Sequence, residues 1–147
     1  MPQTPDSACP LPTPQNASES EVIRLLLSAQ RIAVIGISDD PTRPSHYVSE
    51  YMRSIGKEII PVNPNLDEIF GQKCYASLKD IPGPIDLVNV FRRPLACADV
   101  TRDAIAIGAK GIWLQSGITN DEARQLAQKA GIPFVQNRCI MVESRRR

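Results

Sequence analysis

The sequence predicts an α/β fold, in which a single doubly wound parallel sheet of about five strands carries helices on both faces. Short, largely apolar segments rich in β-branched residues recur along the chain, as strands buried on both faces require. Most of these segments are separated by helical patterns that begin at a proline or a capping residue and end at a glycine. Strand–helix alternation at this spacing predicts βαβ units and therefore parallel pairing.

Two regions are expected along the 147 residues. Residues 1–17 are rich in proline and poor in large apolar side chains, which predicts an extended or disordered arm. Residues 18–147 are expected to form one Rossmann-like domain. Its first helix should begin at Ser18, which has capping-box spacing to Glu21.

Each element of the domain has its own signal. The expected strands are residues 32–37, 58–62, 87–91, 111–114 and 133–136. Further helices are expected over 44–55 and 94–107, each opened by a proline, and from a capping box of Thr119 and Glu122 to about residue 130. The crossover between the second and third strands has no long helical stripe. We expect only turns there, with at most one helical turn around 67–70 and another around 78–81. Right-handed crossovers then favour the strand order 3-2-1-4-5.

Composition excludes several classes of function. A formal net charge of +1 gives no overall field to attract nucleic acid. No apolar run reaches the roughly 18 residues of a membrane span, so no membrane partner is expected either. The four cysteines form no C-x-x-C pair and there is one histidine, so no zinc pattern is present. Scattered cysteines without a secretory signal predict a cytoplasmic location.

The loops after the strands are expected to meet at one edge of the sheet, where open α/β folds bind ligands. Arginines follow three of the five strands: Arg43, Arg92, Arg93 and Arg138. A guanidinium group suits phosphate oxygens, and the helix at Pro44 should add N–H groups that are unpaired from Ser45 onward. Each arginine alone is better explained as a solvated loop residue. Together they predict a site for a phosphorylated small molecule.

The sequence argues against NAD as that molecule. Gly36 is the only glycine of the first loop, and Ser38 stands where a dinucleotide site needs a second glycine. Asn63 occupies the end of the second strand, where a carboxylate would hold the ribose hydroxyls.

Five motifs occur in order at the predicted strand ends: "VIGIS" with "RPS", then "PVNP", "FRRP", "WLQSG" and "NRC". They resemble the small single-domain CoA-binding proteins, which share the Rossmann fold of the CoA-binding domain in the succinyl-CoA synthetase alpha subunit. The resemblance covers residues 23–143. It implies coenzyme A as the ligand, with its nucleotide across loops 36–45 and 62–64, and loop 91–94 bordering the adenine or pantetheine. The candidate site residues are Gly36, Ile37, Ser38, Arg43, Pro44, Ser45, Val62, Asn63, Pro64, Phe91, Arg92, Arg93 and Gly117.

CoA fits the residues themselves, because its pyrophosphate and 3′-phosphate offer a partner to each of several arginines. An acid of the kind NAD requires would repel the 3′-phosphate. Two features depart from the relatives. The acidic residue they often carry before the Arg-Cys pair is Asn137 here, and no counterpart of the synthetase's phosphorylated-histidine domain is expected within these 147 residues. His46 is interpreted as a packing residue, and Cys139 as a small buried side chain.

These observations predict a module that binds CoA or an acyl-CoA. No nucleophile–base pair, paired carboxylates or metal ligands are recognisable, which favours binding without catalysis of its own. Three alternatives stay open: an NAD(P)-type oxidoreductase fragment, an acyl-CoA transferase or ligase subunit that needs a partner, and a regulatory protein whose contacts change with CoA occupancy. A protein partner is left unidentified.

Overall fold

The computed structural model describes residues 17–147, and residues 1–16 of the expected arm lie outside the described residues. Ala17, assigned to the arm, already belongs to the fold, because its N–H donates to the Phe134 carbonyl at 2.9 Å. The helices are α1 (Glu19–Ser28), α2 (Pro44–Ser54), α3 (Cys97–Ala106), α4 (Asp121–Ala130) and α5 (Ile140–Arg145). The strands are β1 (Arg31–Ile35), β2 (Glu58–Val62), β3 (Glu68–Ile69), β4 (Gln72–Lys73), β5 (Leu87–Val90), β6 (Ile112–Leu114) and β7 (Phe134–Val135). None of these helices has the length and apolar composition needed to cross a bilayer.

Five parallel strands form the central sheet in the order β2-β1-β5-β6-β7, which confirms the predicted α/β class. β5 lies beside β1, so residues 87–91 do not occupy the third-strand position outside β2. Tyr75 holds that position through one isolated parallel bridge to Val62. If Tyr75 is counted as strand three, then β5 and β6 are strands four and five. The sheet then has the expected order 3-2-1-4-5, and β7 is a sixth strand. The third strand is reduced to a bridge because the crossover contains too little extended chain.

Helices cover both faces of the sheet, as expected for a doubly wound fold. Along β1, Ile32 and Val34 pack in one core cluster with residues of α1, α2 and α5. Ala33 and Ile35 point to the other face, where the core is completed by α3 and α4. This alternation follows from the two-residue period of a strand.

The helix starts agree only in part with the sequence prediction. Ser18 and Glu21 form the predicted capping box of α1. The capping box expected at Thr119 is wrong, since Asn120 is the N-cap and its side chain accepts the Ala123 N–H at 2.8 Å. The third helix begins as a 3₁₀ turn over Pro94–Ala96 before α3. Helix α5 was not predicted.

The crossover after β2 contains an antiparallel hairpin, β3–β4, where a helical turn was expected around residues 67–70. The turn of this hairpin is made by Phe70 and Gly71, with positive φ angles of 57° and 72°. Phe70 packs against the core, which compensates for a backbone conformation that is unfavourable for an aromatic residue. The second expected turn is present as a 3₁₀ helix over Leu78–Asp80.

Candidate functional site

The register of the sheet aligns the carboxyl ends of three neighbouring strands, because Ile35 of β1 pairs with Val62 of β2 and with Val90 of β5. The loops that follow are the first loop (residues 36–43), the second loop (63–67) and the third loop (91–93). Backbone bonds hold them together: the Gly36 N–H donates to the Val62 carbonyl at 3.0 Å, and the Phe91 N–H to the Ile35 carbonyl at 2.9 Å.

Gly36 is the point of closest approach between the first and third loops. Its φ is +81°, and a Cβ at this position would lie 2.8 Å from the Phe91 carbonyl oxygen and 2.9 Å from Cδ of Arg92. Both the left-handed backbone and the missing side chain are therefore required here. The glycine brings the backbone of the first loop against the stem of Arg92.

The rest of the first loop is shaped by short polar side chains. The Ser38 hydroxyl accepts the Asp40 N–H at 3.0 Å, and the Ser38 N–H donates to the Ser45 hydroxyl at 2.9 Å. Asp40 accepts bonds from the N–H and hydroxyl of Thr42, at 3.0 and 2.8 Å. These bonds lower the pKa of Asp40, with smaller contributions from the charges of Arg43 and His46. The loop therefore carries a carboxylate beside Arg43 at neutral pH.

The start of α2 offers fewer N–H groups than expected. Pro44 has none, and the N–H groups of His46 and Tyr47 both donate to the Arg43 carbonyl, at 3.0 and 3.1 Å. Of this first turn, only the Ser45 N–H is left over within the described residues, and Ser45 itself is buried. The expectation of unpaired N–H groups from Ser45 onward is therefore wrong, because the N-cap carbonyl captures the next two.

The arginines of the carboxyl edge fall into two groups. Arg43, Arg92 and Arg93 are exposed, and within residues 17–147 no carboxylate oxygen lies within 4.0 Å of their guanidinium nitrogens. Arg138, by contrast, pairs with Glu19 at 2.8 Å and with the buried Glu143 at 3.3 Å. Its role is to tie α5 to α1, so the arginines left for a ligand come from two loops, not three.

The side chain of Asn63 connects the second loop to the first. Its Nδ2 donates to the Ile37 carbonyl at 2.8 Å, and its Oδ1 accepts the Asn65 N–H at 2.8 Å. A carboxylate could accept the second bond but could not donate the first. An amide is therefore required at this position by the fold, independently of which ligand binds.

The remaining predicted residues differ in what they can present. Ile37 and Val62 are buried, and the Ile37 carbonyl is occupied by Asn63 Nδ2, so Ile37 supports the loop from within the core. Gly117 lies apart from the first three loops, where its N–H donates to Asn137 Oδ1 at 2.7 Å. Asn137 has a φ of +58°, which asparagine tolerates better than most residues, so the amide here supports the turn.

A cavity of about 270 Å³ opens at the carboxyl edge beside Arg92. It is lined by three predicted site residues and by residues that sequence reasoning missed: Ile35, Val62, Pro64, Ala76, Ser77, Leu78, Arg92, Ala96, Asp99, Val100 and Asp103. Ala96, Asp99, Val100 and Asp103 share one face of α3 and the turn before it. Their helical spacing was visible in the sequence, but the opposite wall comes from a crossover with no such pattern.

A larger depression, about 550 Å³, lies at the opposite edge of the sheet and is lined by Gln30, Glu50, Arg53, Ser54, Gly56, Lys57 and Glu58. We favour the smaller cavity as the site, because ligands of open α/β sheets bind beyond the carboxyl ends of the strands. Lys57 also has a structural role at this edge: its ammonium donates to the carbonyls of Leu26 and Ala29 at the end of α1, at 2.7 and 2.6 Å.

The histidine and the three cysteines of residues 17–147 are engaged in packing. His46 Nδ1 lies 3.0 Å from the Ser38 carbonyl, and its ring packs against Phe70 with centroids 4.9 Å apart. Burial raises the pKa of the Cys97 thiol to about 11, against a smaller opposing effect of Arg92. Cys139 is half-buried against the core. Within residues 17–147 there is no group of three or more histidine, cysteine or acidic side chains that could hold a metal ion.

Comparison with known proteins identifies the family. The sequence profile of the CoA binding domain matches residues 30–145, the span that contains all of the loops described above. This chain belongs to the CoA-binding domain family. The resemblance inferred from the five motifs is thereby confirmed.

The relatives of this chain include both short proteins and much longer ones. YneT of Bacillus subtilis is 45% identical over 128 residues, which cover 87% of this chain and 95% of YneT. The solved structure of cell-free ID.343 from Thermus thermophilus superposes with a TM-score of 0.83 at 42% identity, covering 88% of this chain and 98% of that one. Subunit alpha of acetate–CoA ligase [ADP-forming] II from Pyrococcus furiosus is 28% identical over 120 residues. This chain spans only 26% of that subunit, although the match covers 74% of the chain.

Proposed function

We propose that this CoA-binding domain binds coenzyme A itself, with the phosphates held over the first loop at the carboxyl edge. The observation that supports this most directly is the set of exposed arginines without carboxylate partners, Arg43, Arg92 and Arg93. Unpaired guanidinium groups around a tight glycine turn suit a ligand with several phosphates. CoA has a pyrophosphate and a 3′-phosphate, and therefore offers a partner to each.

The other candidate residues would contribute in different ways. Ser38 uses its hydroxyl oxygen to accept the Asp40 N–H, so its own hydrogen stays available to donate to a phosphate. Gly36 would present backbone, Ile37 would hold the first loop in place from the core, and Pro44 with Ser45 would set the direction of the helix start. Val62, Asn63 and Pro64 would shape the second loop beside the ligand. Phe91 and Gly117 would border the bound ligand at its two ends.

Isothermal calorimetry with CoA and NAD on the same preparation tests this proposal. We expect CoA to bind more tightly, because three arginines meet its phosphates and because Asn63, committed to the fold, supplies no carboxylate for the NAD ribose. Pantetheine, which has no phosphate, should bind much more weakly than CoA. Binding of NAD that equals or exceeds that of CoA would overturn the assignment and support a dinucleotide enzyme instead.

A second candidate is a CoA-binding subunit of an acyl-CoA-forming enzyme. It is supported by the Pyrococcus furiosus relative, whose name describes a subunit of an ADP-forming acetate–CoA ligase. On this proposal the chain would supply CoA to chemistry carried by a partner. Incubation of the isolated chain with acetate, CoA and ATP should then yield no acetyl-CoA. Product formation by the chain alone would show catalysis of its own and contradict this second candidate.

A further inference from the structure

The cavity beside Arg92 is lined by apolar side chains from several elements of the fold. Ile35 and Val62, at the ends of β1 and β2, line it together with Val100 of α3 and Leu78 of the crossover. Its volume of about 270 Å³ is below the roughly 300 Å³ at which sites for drug-sized ligands begin. The cavity therefore suits one largely apolar part of CoA and excludes the whole molecule.

The charges that line the cavity are distributed unevenly. Arg92 contributes the positive charge, and its stem packs beside Gly36, which places it next to the first loop. Asp99 and Asp103 lie one turn apart on α3, which leads away from the carboxyl edge. Asp103 therefore lies about one helical turn further from that edge than Asp99. Carboxylates inside the cavity repel a phosphate and attract a neutral group that carries N–H donors.

Asp103 connects two of the elements that line the cavity, α3 and the 3₁₀ helix of the crossover. Its Oδ1 lies 3.6 Å from the ammonium of Lys79, which belongs to the 3₁₀ helix of the opposite wall. The Asp103 side chain is 40% exposed, compared with 85% for that of Asp99. A carboxylate has about four acceptor sites, so the long ion pair leaves Asp103 with capacity for a ligand.

We propose that the cavity receives the adenine base of the ligand and that Asp103 determines base specificity by accepting a hydrogen bond from the exocyclic amine. This inference rests on the proposed function, because it takes CoA as the ligand. The base enters first between Val100 and Leu78. The ribose with its 3′-phosphate stays at the mouth beside Arg92, and the pyrophosphate runs toward Arg43.

The test compares CoA with 1,N6-etheno-CoA, in which the amine is built into a ring and has lost its N–H donors. The native chain should bind CoA roughly 10- to 150-fold more tightly, the range for a hydrogen bond to a charged group. Asp103→Leu should bind both ligands with the same, weaker affinity. Phosphopantetheine, which lacks adenosine, should bind the native chain and Asp103→Leu equally, and this also shows that the variant is folded.

Lys79→Met provides the matched control, because it removes the ion pair and leaves the carboxylate. If Asp103 recognises the amine, Lys79→Met keeps the preference for CoA over etheno-CoA. Loss of the preference in Lys79→Met would show that the ion pair, and not amine recognition, is responsible. Retention of the preference in Asp103→Leu would overturn Asp103 as the residue that recognises the amine, while CoA binding stood. If the native chain binds neither CoA nor phosphopantetheine, the proposed function fails, and the base site with it.

Discussion

Replacement of Gly36 by alanine tests the geometry on which the candidate site depends. Two separate penalties are expected. A left-handed backbone costs a residue with a Cβ roughly 1–2 kcal/mol. The new methyl group would also lie 2.8 Å from the Phe91 carbonyl oxygen, and overpacking of this kind costs typically about 1–3 kcal/mol. The carbonyl cannot retreat easily, because the Phe91 N–H is bonded to Ile35 at 2.9 Å. The free energy of unfolding should therefore fall by about 2–5 kcal/mol.

Gly131→Ala is the matched control. Gly131 ends α4 with a φ of +71°, and no atom lies within 4 Å of the position a Cβ would take. It should therefore show the backbone penalty alone. Urea unfolding of both variants measures the difference, which should be roughly 1–3 kcal/mol in favour of Gly131→Ala. For a chain of this size Gly36→Ala should also melt roughly 4–20 °C lower than the native protein. Equal destabilisation by the two substitutions would refute the close approach of the first and third loops.

Three further outcomes are expected. Arg43→Ala should weaken CoA binding roughly 10- to 150-fold in calorimetry, with little effect on the binding of pantetheine. The control Arg53→Ala, at the far end of α2, should leave the binding of both ligands unchanged. An equal loss for both ligands in Arg43→Ala would mean that Arg43 meets no phosphate. Asn63→Asp should lower the free energy of unfolding by roughly 1–3 kcal/mol, because it leaves the Ile37 carbonyl without its donor, whereas Asn65→Asp should be nearly neutral. At pH 8 the pKa of about 11 leaves roughly one Cys97 thiol in a thousand ionised, so iodoacetamide should label it far more slowly in the folded than in the unfolded protein. Because burial raises this pKa, the protonated thiol stabilises the folded state below about pH 9, and this contribution to stability is lost between about pH 9 and 11. Fast labelling of Cys97 in the folded protein at pH 8 would contradict its burial.

Local patterns determined much of the fold. The capping box at Ser18, the proline start of α2 and the five apolar segments were predicted where the structure has them, because caps and strand periodicity act within a few residues. The rule that ligands gather beyond the carboxyl ends of parallel strands was enough to bring the first three loops together. The motifs at those ends were enough to identify the family.

Partner choice between distant residues was decided only by the tertiary structure. Arg138 looked like Arg43 in the sequence, yet Glu19 and Glu143 neutralise it, and these acids come from opposite ends of the described chain. In the sequence, Asn63 was interpreted as a residue that disfavours NAD. The structure gives it a second role, because its side chain donates to the Ile37 carbonyl and joins two loops. The cavity could not be predicted, because one wall belongs to α3 and the other to a crossover with no periodicity. Sequence spacing fixes which residues share an element, but charge pairing, loop contacts and cavities depend on elements that only packing brings together.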